Sequence, residues 1–170
     1  IDGLLRRRGS GSRMTDAAVR DAINDLMADY CHYLDDDRLE EWLDFFTEDC
    51  QYKILSRENV ESDLPLELLS CRNKNMLRDR ILSLREANIY NIHFDKHLLG
   101  AVRILGEENG GYRVQANYSV YQSNQDGISE LFNVGTYRDL ITFAGGKPLF
   151  KEKIAVADTF GIPRLLSTPI

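Results

Sequence analysis

The segment His93-Phe94-Asp95-Lys96-His97 places two imidazoles and a carboxylate at alternate positions. On a strand that alternation turns all three to one face, and two histidines with one carboxylate are a donor set that iron accepts. The commoner reading, which we prefer, is a polar strand start, and the only other histidine is His32. The run Asp35-Asp36-Asp37 offers Asp35 as a general acid or base, although an acidic run between two helices ordinarily caps or solvates a turn. Tyr30, Tyr33, Trp42, Tyr52, Tyr118 and Tyr121 can line a pocket for a flat apolar ligand or fill a core, and spacing does not separate the two. Cys31, Cys50 and Cys71 are odd in number and widely spaced, a pattern of reduced, buried thiols rather than a metal knuckle. The chain holds no GxGxxG, GxxxxGK or GxSxG, so neither a phosphate cradle nor a nucleophile elbow is present.

The elements that must position these residues follow from apolar periodicity. Val19, Ile23, Leu26, Met27, Tyr30 and Leu34 recur at spacings of three and four, which predicts an amphipathic helix starting at Thr15 or Asp16. Leu39, Trp42, Leu43 and Phe46 continue a helical stripe after the acidic turn, with Trp42 as core anchor. Gln51 and Lys53 then alternate with Cys50, Tyr52 and Ile54, the period of a strand. Arg57 to Ser70 has no clean period and reads as a connection, and Asn75 to Leu84 reads as a third helix. From His97 onward the chain reads as sheet: an apolar strand Leu98–Leu105, the alternating strand Tyr112–Tyr121, a strand Ile128–Phe143 and a closing strand Leu149–Ala157. Helices followed by an antiparallel meander predict an α+β domain with a cone-shaped curved antiparallel sheet and N-terminal helices packed on or in it.

The 170 residues amount to one domain with a single core. Residues 1–13, rich in arginine, glycine and serine, read as an appended tag or linker, leaving 14–170 as the domain. They hold four arginines and one aspartate, so the remaining chain carries −9 rather than −6. That sign argues against nucleic acid, whose phosphates require clustered Lys and Arg. The longest apolar stretch, Leu98 to Val102, is far below the roughly 18 residues of a membrane span, and a cytoplasmic protein is expected.

The run Tyr30 to Leu43, with Leu34-Asp35, Arg38 and Glu41-Trp42-Leu43, continuing through Glu48-Asp49-Cys50-Gln51-Tyr52, resembles the small, or beta, subunit of aromatic-ring-hydroxylating dioxygenases. Further matches are His97 ahead of an apolar strand, Val114 to Tyr121, Gly135 to Leu140 and Phe150 to Asp158. The resemblance implies a nuclear-transport-factor-2-like cone, self-association as a trimer, and an α3β3 hexamer with a large alpha subunit that carries a Rieske [2Fe–2S] cluster and a mononuclear iron. It implies no catalytic residue, cofactor or metal in this chain. A Rieske centre needs paired Cys and His motifs that three scattered cysteines and three histidines do not supply. Ala87 to Ile92 stands where several members are Pro-rich, and Arg57-Glu58-Asn59 with Met76 to Arg80 looks closer to the salicylate and anthranilate branch.

The rival from another class is a stand-alone lyase or isomerase resembling scytalone dehydratase, with Asp35 and His97 as acid and base. A second histidine is missing, since the following strand offers Gln115, Asn117 and Ser119. The two readings differ physically. An assembly subunit fills its cone and leaves apolar patches or tails, such as Ile162 to Leu166 and Ile170, for neighbours to cover, whereas an enzyme keeps an open pocket around Asp35 and His97.

Overall fold

The computed structural model describes residues 16–63, 66–87, 92–158 and 169–170. Helix α1 spans Asp16–Asp35 and buries the predicted stripe from Val19 to Leu34. It ends where Asp37 takes a left-handed φ of 56° and Arg38 donates its N–H to the Tyr33 carbonyl at 2.9 Å. Aspartate tolerates that conformation better than most residues, so the acidic run is also the helix stop. The next helix is shorter than its stripe suggests. α2 covers Leu39–Trp42, a 3₁₀ turn covers Leu43–Phe45, and Phe46 already opens strand β1 (Phe46–Ser56). The i, i+3, i+4, i+7 spacing brings the same side chains inward because a short helix leading into a strand places Phe46 against Trp42, with ring centroids 4.6 Å apart.

The presumed connection after β1 contains helix α3 (Arg57–Glu61), capped by Ser56 Oγ accepting the Asn59 N–H at 3.3 Å, and strand β2 (Leu69–Cys71). Each is too short to show a period. Helix α4 (Lys74–Ala87) starts earlier than its apolar residues, where Asn73 Oδ1 accepts the Met76 N–H at 2.9 Å. The apolar run through Leu98–Leu105 is two strands, β3 (His93–Leu99) and β4 (Arg103–Glu108). Both pair with β5 (Gly111–Asn124), β3 along its second half and β4 along its first. Strands β6 (Ser129–Ala144) and β7 (Lys147–Ala157) complete one curved, open sheet in the order β2-β1-β7-β6-β5-β3.

The sheet is antiparallel as expected except at one seam, where β1 runs parallel to β7. The chain enters β1 from the helices and returns to it only after the whole meander, a non-local pairing invisible to strand patterning. At the β6–β7 seam the backbones close tightly: a Cβ on Gly135 would overlap the Val156 carbonyl oxygen, which accounts for a glycine at the head of Gly135-Thr136-Tyr137. The core lies between α1, α2, α4 and the concave face of the sheet, with Trp42 and Tyr30 wholly buried in it.

Candidate functional site

Two arrangements test the rival readings: the Asp35–His97 pair and the interior of the cone. Asp35 is the last residue of α1, and β3 lies at the edge of the sheet. The Asp35 carboxylate accepts the backbone N–H of His97 at 3.0 and 3.1 Å, stands 2.6 Å from His97 Nδ1 and is 3.4 Å from Lys96 Nζ. Side-chain exposure is 2% for Asp35 and 1% for His97. One carboxylate thus closes the outward-facing backbone of an edge strand and orients its imidazole, a role that protects the edge from further pairing. Nδ1 faces the Asp35 carboxylate, and the other ring nitrogen, Nε2, is buried without a hydrogen-bond partner.

Sequence had brought together Asp35 and His97, and the structure does so too. It separates the rest. Asp36 is exposed, while Asp37 and Glu40 form a surface clasp with Arg85 of α4 at 2.7 and 2.9 Å. His93 pairs loosely with Asp95 at 3.8 Å, while His97 is taken by Asp35. Among the described residues no three His, Cys, Asp or Glu side chains converge as a metal-holding group. Of the six aromatics proposed as a pocket lining, Tyr30, Trp42, Tyr52 and Tyr118 are buried together. Tyr33 sits half-buried against Phe45 under the Arg38 guanidinium, and Tyr121 faces outward.

The interior holds residues that sequence reasoning missed. Register sets Lys153 of β7 opposite Asp139 of β6, and both side chains are wholly buried, Nζ to Oδ2 3.0 Å. Lys153 Nζ also lies 3.4 Å from the ring centroid of Tyr137 and 4.2 Å from that of Tyr30, so ring faces supply the remaining shell of the ammonium. Burial pushes the Asp139 carboxyl up and the Lys153 ammonium down, and each partner's opposite charge resists the shift. Strand parity was the available signal: Asp139 shares its face with Gly135 and Tyr137, and Lys153 with Ala155 and Ala157. Tyr118 stacks on Tyr137 at 4.1 Å and donates to Asn133 Oδ1 at 2.6 Å.

Ile170 is the second omission and a correction. Expected as a tail left for a neighbouring subunit, it is instead fully buried in its own chain. Its backbone oxygen accepts the hydroxyls of Tyr30 at 2.7 Å and Tyr52 at 2.8 Å, and its N–H donates to Tyr52 Oη at 3.0 Å. Two buried phenols need hydrogen-bond partners, and the Ile170 backbone supplies them. Ile162 to Leu166 lie outside the described residues.

The outer face is different in kind. Phe94, Leu98, Tyr121 and Leu131 share the convex side of β3, β5 and β6 and are 65%, 54%, 39% and 54% exposed. Lys96, Ser119 and Ser123 share that face with them, and exposed apolar side chains interleaved with polar ones are the make-up of many contact surfaces. Among the described residues no helix is long and apolar enough to cross a membrane.

A curved open sheet with helices packed against its inner face is the SnoaL-like, nuclear-transport-factor-2-like class of domain, and the SnoaL-like domain family matches residues 15–147. Within that class the chain belongs to the small subunits of aromatic-ring dioxygenases. It is 39% identical over 141 residues to the anthranilate 1,2-dioxygenase small subunit of Burkholderia cepacia, covering 83% of this chain and 88% of that one. It is 34% identical over 143 residues to subunit beta 1 of the terminal oxygenase component of terephthalate 1,2-dioxygenase from Comamonas sp., covering 84% and 93%. A crystal structure from Novosphingobium aromaticivorans, assigned as the beta subunit of an aromatic-ring-hydroxylating dioxygenase, superposes with a TM-score of 0.83 at 40% identity, covering 91% of this chain and 98% of that one. A protein of the same organism assigned as a scytalone dehydratase superposes at 0.65 but is 17% identical, over 86% of this chain and 89% of that one, which shows the shared fold alone.

Proposed function

We propose that this chain is a non-catalytic, structural small subunit of a multicomponent oxygenase that hydroxylates an aromatic acid in the cytoplasm. It holds an iron-bearing large subunit in register, as an α3β3 hexamer built on a trimer of small subunits. The Rieske cluster and mononuclear iron belong to the large subunit in this reading, because the donors of this chain do not fit them: its three cysteines are buried, and no ligand group converges among the described residues. Anthranilate and terephthalate, the substrates in the names of the relatives, are both aromatic acids.

The observation that carries the reading is the kinship with a dioxygenase small subunit, 39% identical over 141 residues. The Asp35 carboxylate agrees with a structural role, since it is spent on the backbone and ring of His97 and on Lys96 and fastens a helix end to an edge strand. The apolar outer face of β3, β5 and β6 supports assembly as the task. The test is co-expression with a large subunit from the same organism's aromatic-ring oxygenases, followed by affinity capture on the small subunit and sizing. A stable complex of both chains with iron in the large one is expected. A lone small subunit that never co-purifies, or one that alone dehydrates or isomerises a cyclic ketone, overturns the reading.

A further inference from the structure

A groove of about 260 Å³ lies between α1, the 3₁₀ turn and the start of β7. Its floor is apolar, made by Ala22 and Leu26 of α1, Phe45 of the turn and Pro148 of β7. The α1 side carries Asp25 and Asp29 and the β7 side Lys147, all three exposed at the mouth. Four residues apart on one helix, the two carboxylates lie on one face and repel each other. Aspartate is also a weak helix former at interior positions. Among the described residues neither carboxylate has an ion-pair or hydrogen-bond partner, and Lys147 gives its Nζ to the Asp44 carbonyl oxygen at 3.4 Å instead. Elsewhere on the surface carboxylates meet cations of the same chain: Asp37 and Glu40 meet Arg85, Glu41 meets Arg38 and Glu108 meets Arg113. Asp25 and Asp29 are thus a locally unfavourable pair that the fold leaves uncompensated, set over an apolar floor, and such a feature fits a cation brought from outside.

We propose that the groove receives an arginine side chain of the large subunit, its guanidinium spanning Asp25 and Asp29 and its stem lying on Leu26, Phe45 and Pro148. The volume is below the roughly 300–1,000 Å³ of small-molecule pockets and suits one long side chain. Arginine meets the chemistry better than lysine. Its methylenes cover apolar surface while the head stays at the mouth, and its planar fork offers N–H groups to two carboxylates at once, where an ammonium is a point charge. A second copy of this net-acidic chain is disfavoured as donor, because like net charges repel on approach. The proposal rests on the assembly reading and adds to it a contact on the helical side of the domain, apart from the outer face of β3, β5 and β6.

Binding of the purified large subunit to the full small subunit, measured at low and at high salt, tests it. The double variant Asp25→Asn with Asp29→Asn should bind about tenfold more weakly at low salt, and the difference should shrink as salt screens the pair. The same variant should unfold at or slightly above the wild-type temperature, since a like-charge repulsion is removed, which separates weaker binding from misfolding. Lys147→Met removes a cation that repels the guanidinium and should tighten binding. With both forms saturating, one large-subunit arginine that wild type protects from phenylglyoxal should be left reactive by the double variant. Wild-type assembly with equal binding by the double variant, or with no arginine that behaves in this way, overturns the proposal and leaves the assembly reading standing. Loss of self-association in place of large-subunit binding puts a second copy in the groove and likewise overturns it. A wild-type chain that binds no large subunit overturns both.

Discussion

The carboxylate of Asp35 holds His97 twice, by its backbone N–H at 3.0 Å and by its ring at 2.6 Å, fastening the end of α1 to the edge strand β3. The pair that the sequence offers as acid and base meets in space, and in meeting it ties a helix end to a sheet edge.

Asp35→Asn separates the clamp from catalysis. An amide keeps one acceptor but loses the charge that both donors and Lys96 face, costing about 1–3 kcal/mol. Thermal unfolding of the isolated subunit should shift down by several degrees, while aromatic hydroxylation per assembled complex stays within about twofold, since a rate changes tenfold per 1.36 kcal/mol of barrier and none is removed here. A collapse of turnover in fully assembled complexes contradicts the assignment.

The Lys153–Asp139 pair should behave non-additively. Lys153→Met leaves an uncompensated buried carboxylate and is expected to cost about 3–5 kcal/mol, whereas Lys153→Met with Asp139→Leu should recover most of it, because two desolvated charges disappear together. Urea unfolding of the wild type, both single variants and the double variant measures the coupling.

Alkaline stability follows from the buried thiols. Burial pushes Cys31 and Cys50 up to about 11 from their ordinary value near 9, and it raises the buried phenols Tyr30, Tyr52 and Tyr137 as well. A folded-state pKa above the unfolded one means that the native chain keeps a proton the unfolded chain releases. This contribution is whole below pH 9 and is lost as pH rises toward 11. Denaturation midpoints should be lower at pH 10.5 than at 8, and thiol alkylation at pH 8 should track unfolding.

On the outer face, Phe94→Lys with Leu98→Lys adds charge where nothing is packed, so the unfolding free energy should change by less than about 0.5 kcal/mol. The yield of complex with the large subunit should fall at least tenfold on sizing. An unaltered yield removes this face from the assembly.

Much of the fold was legible because burial imposes period. The stripe of α1, the alternation of β5 from Tyr112 to Val120 and the order of helices before meander each depend on one element against one core face. The elements that escaped, α3 and β2, are too short to hold a period, and the break between β3 and β4 hides inside a continuous apolar run.

By itself, then, the sequence determined the class of domain, the inward residues of its long elements and the kinship carried by the Tyr30 to Tyr52 run, all of which are local in the chain. Tertiary structure alone decided the parallel seam of β1 with β7, the meeting of Lys153 with Asp139 and the burial of Ile170 between Tyr30 and Tyr52. Each joins residues whose separation along the chain carries no periodic signal. A buried charge or phenol shows its role only when the partner that compensates its burial is brought beside it.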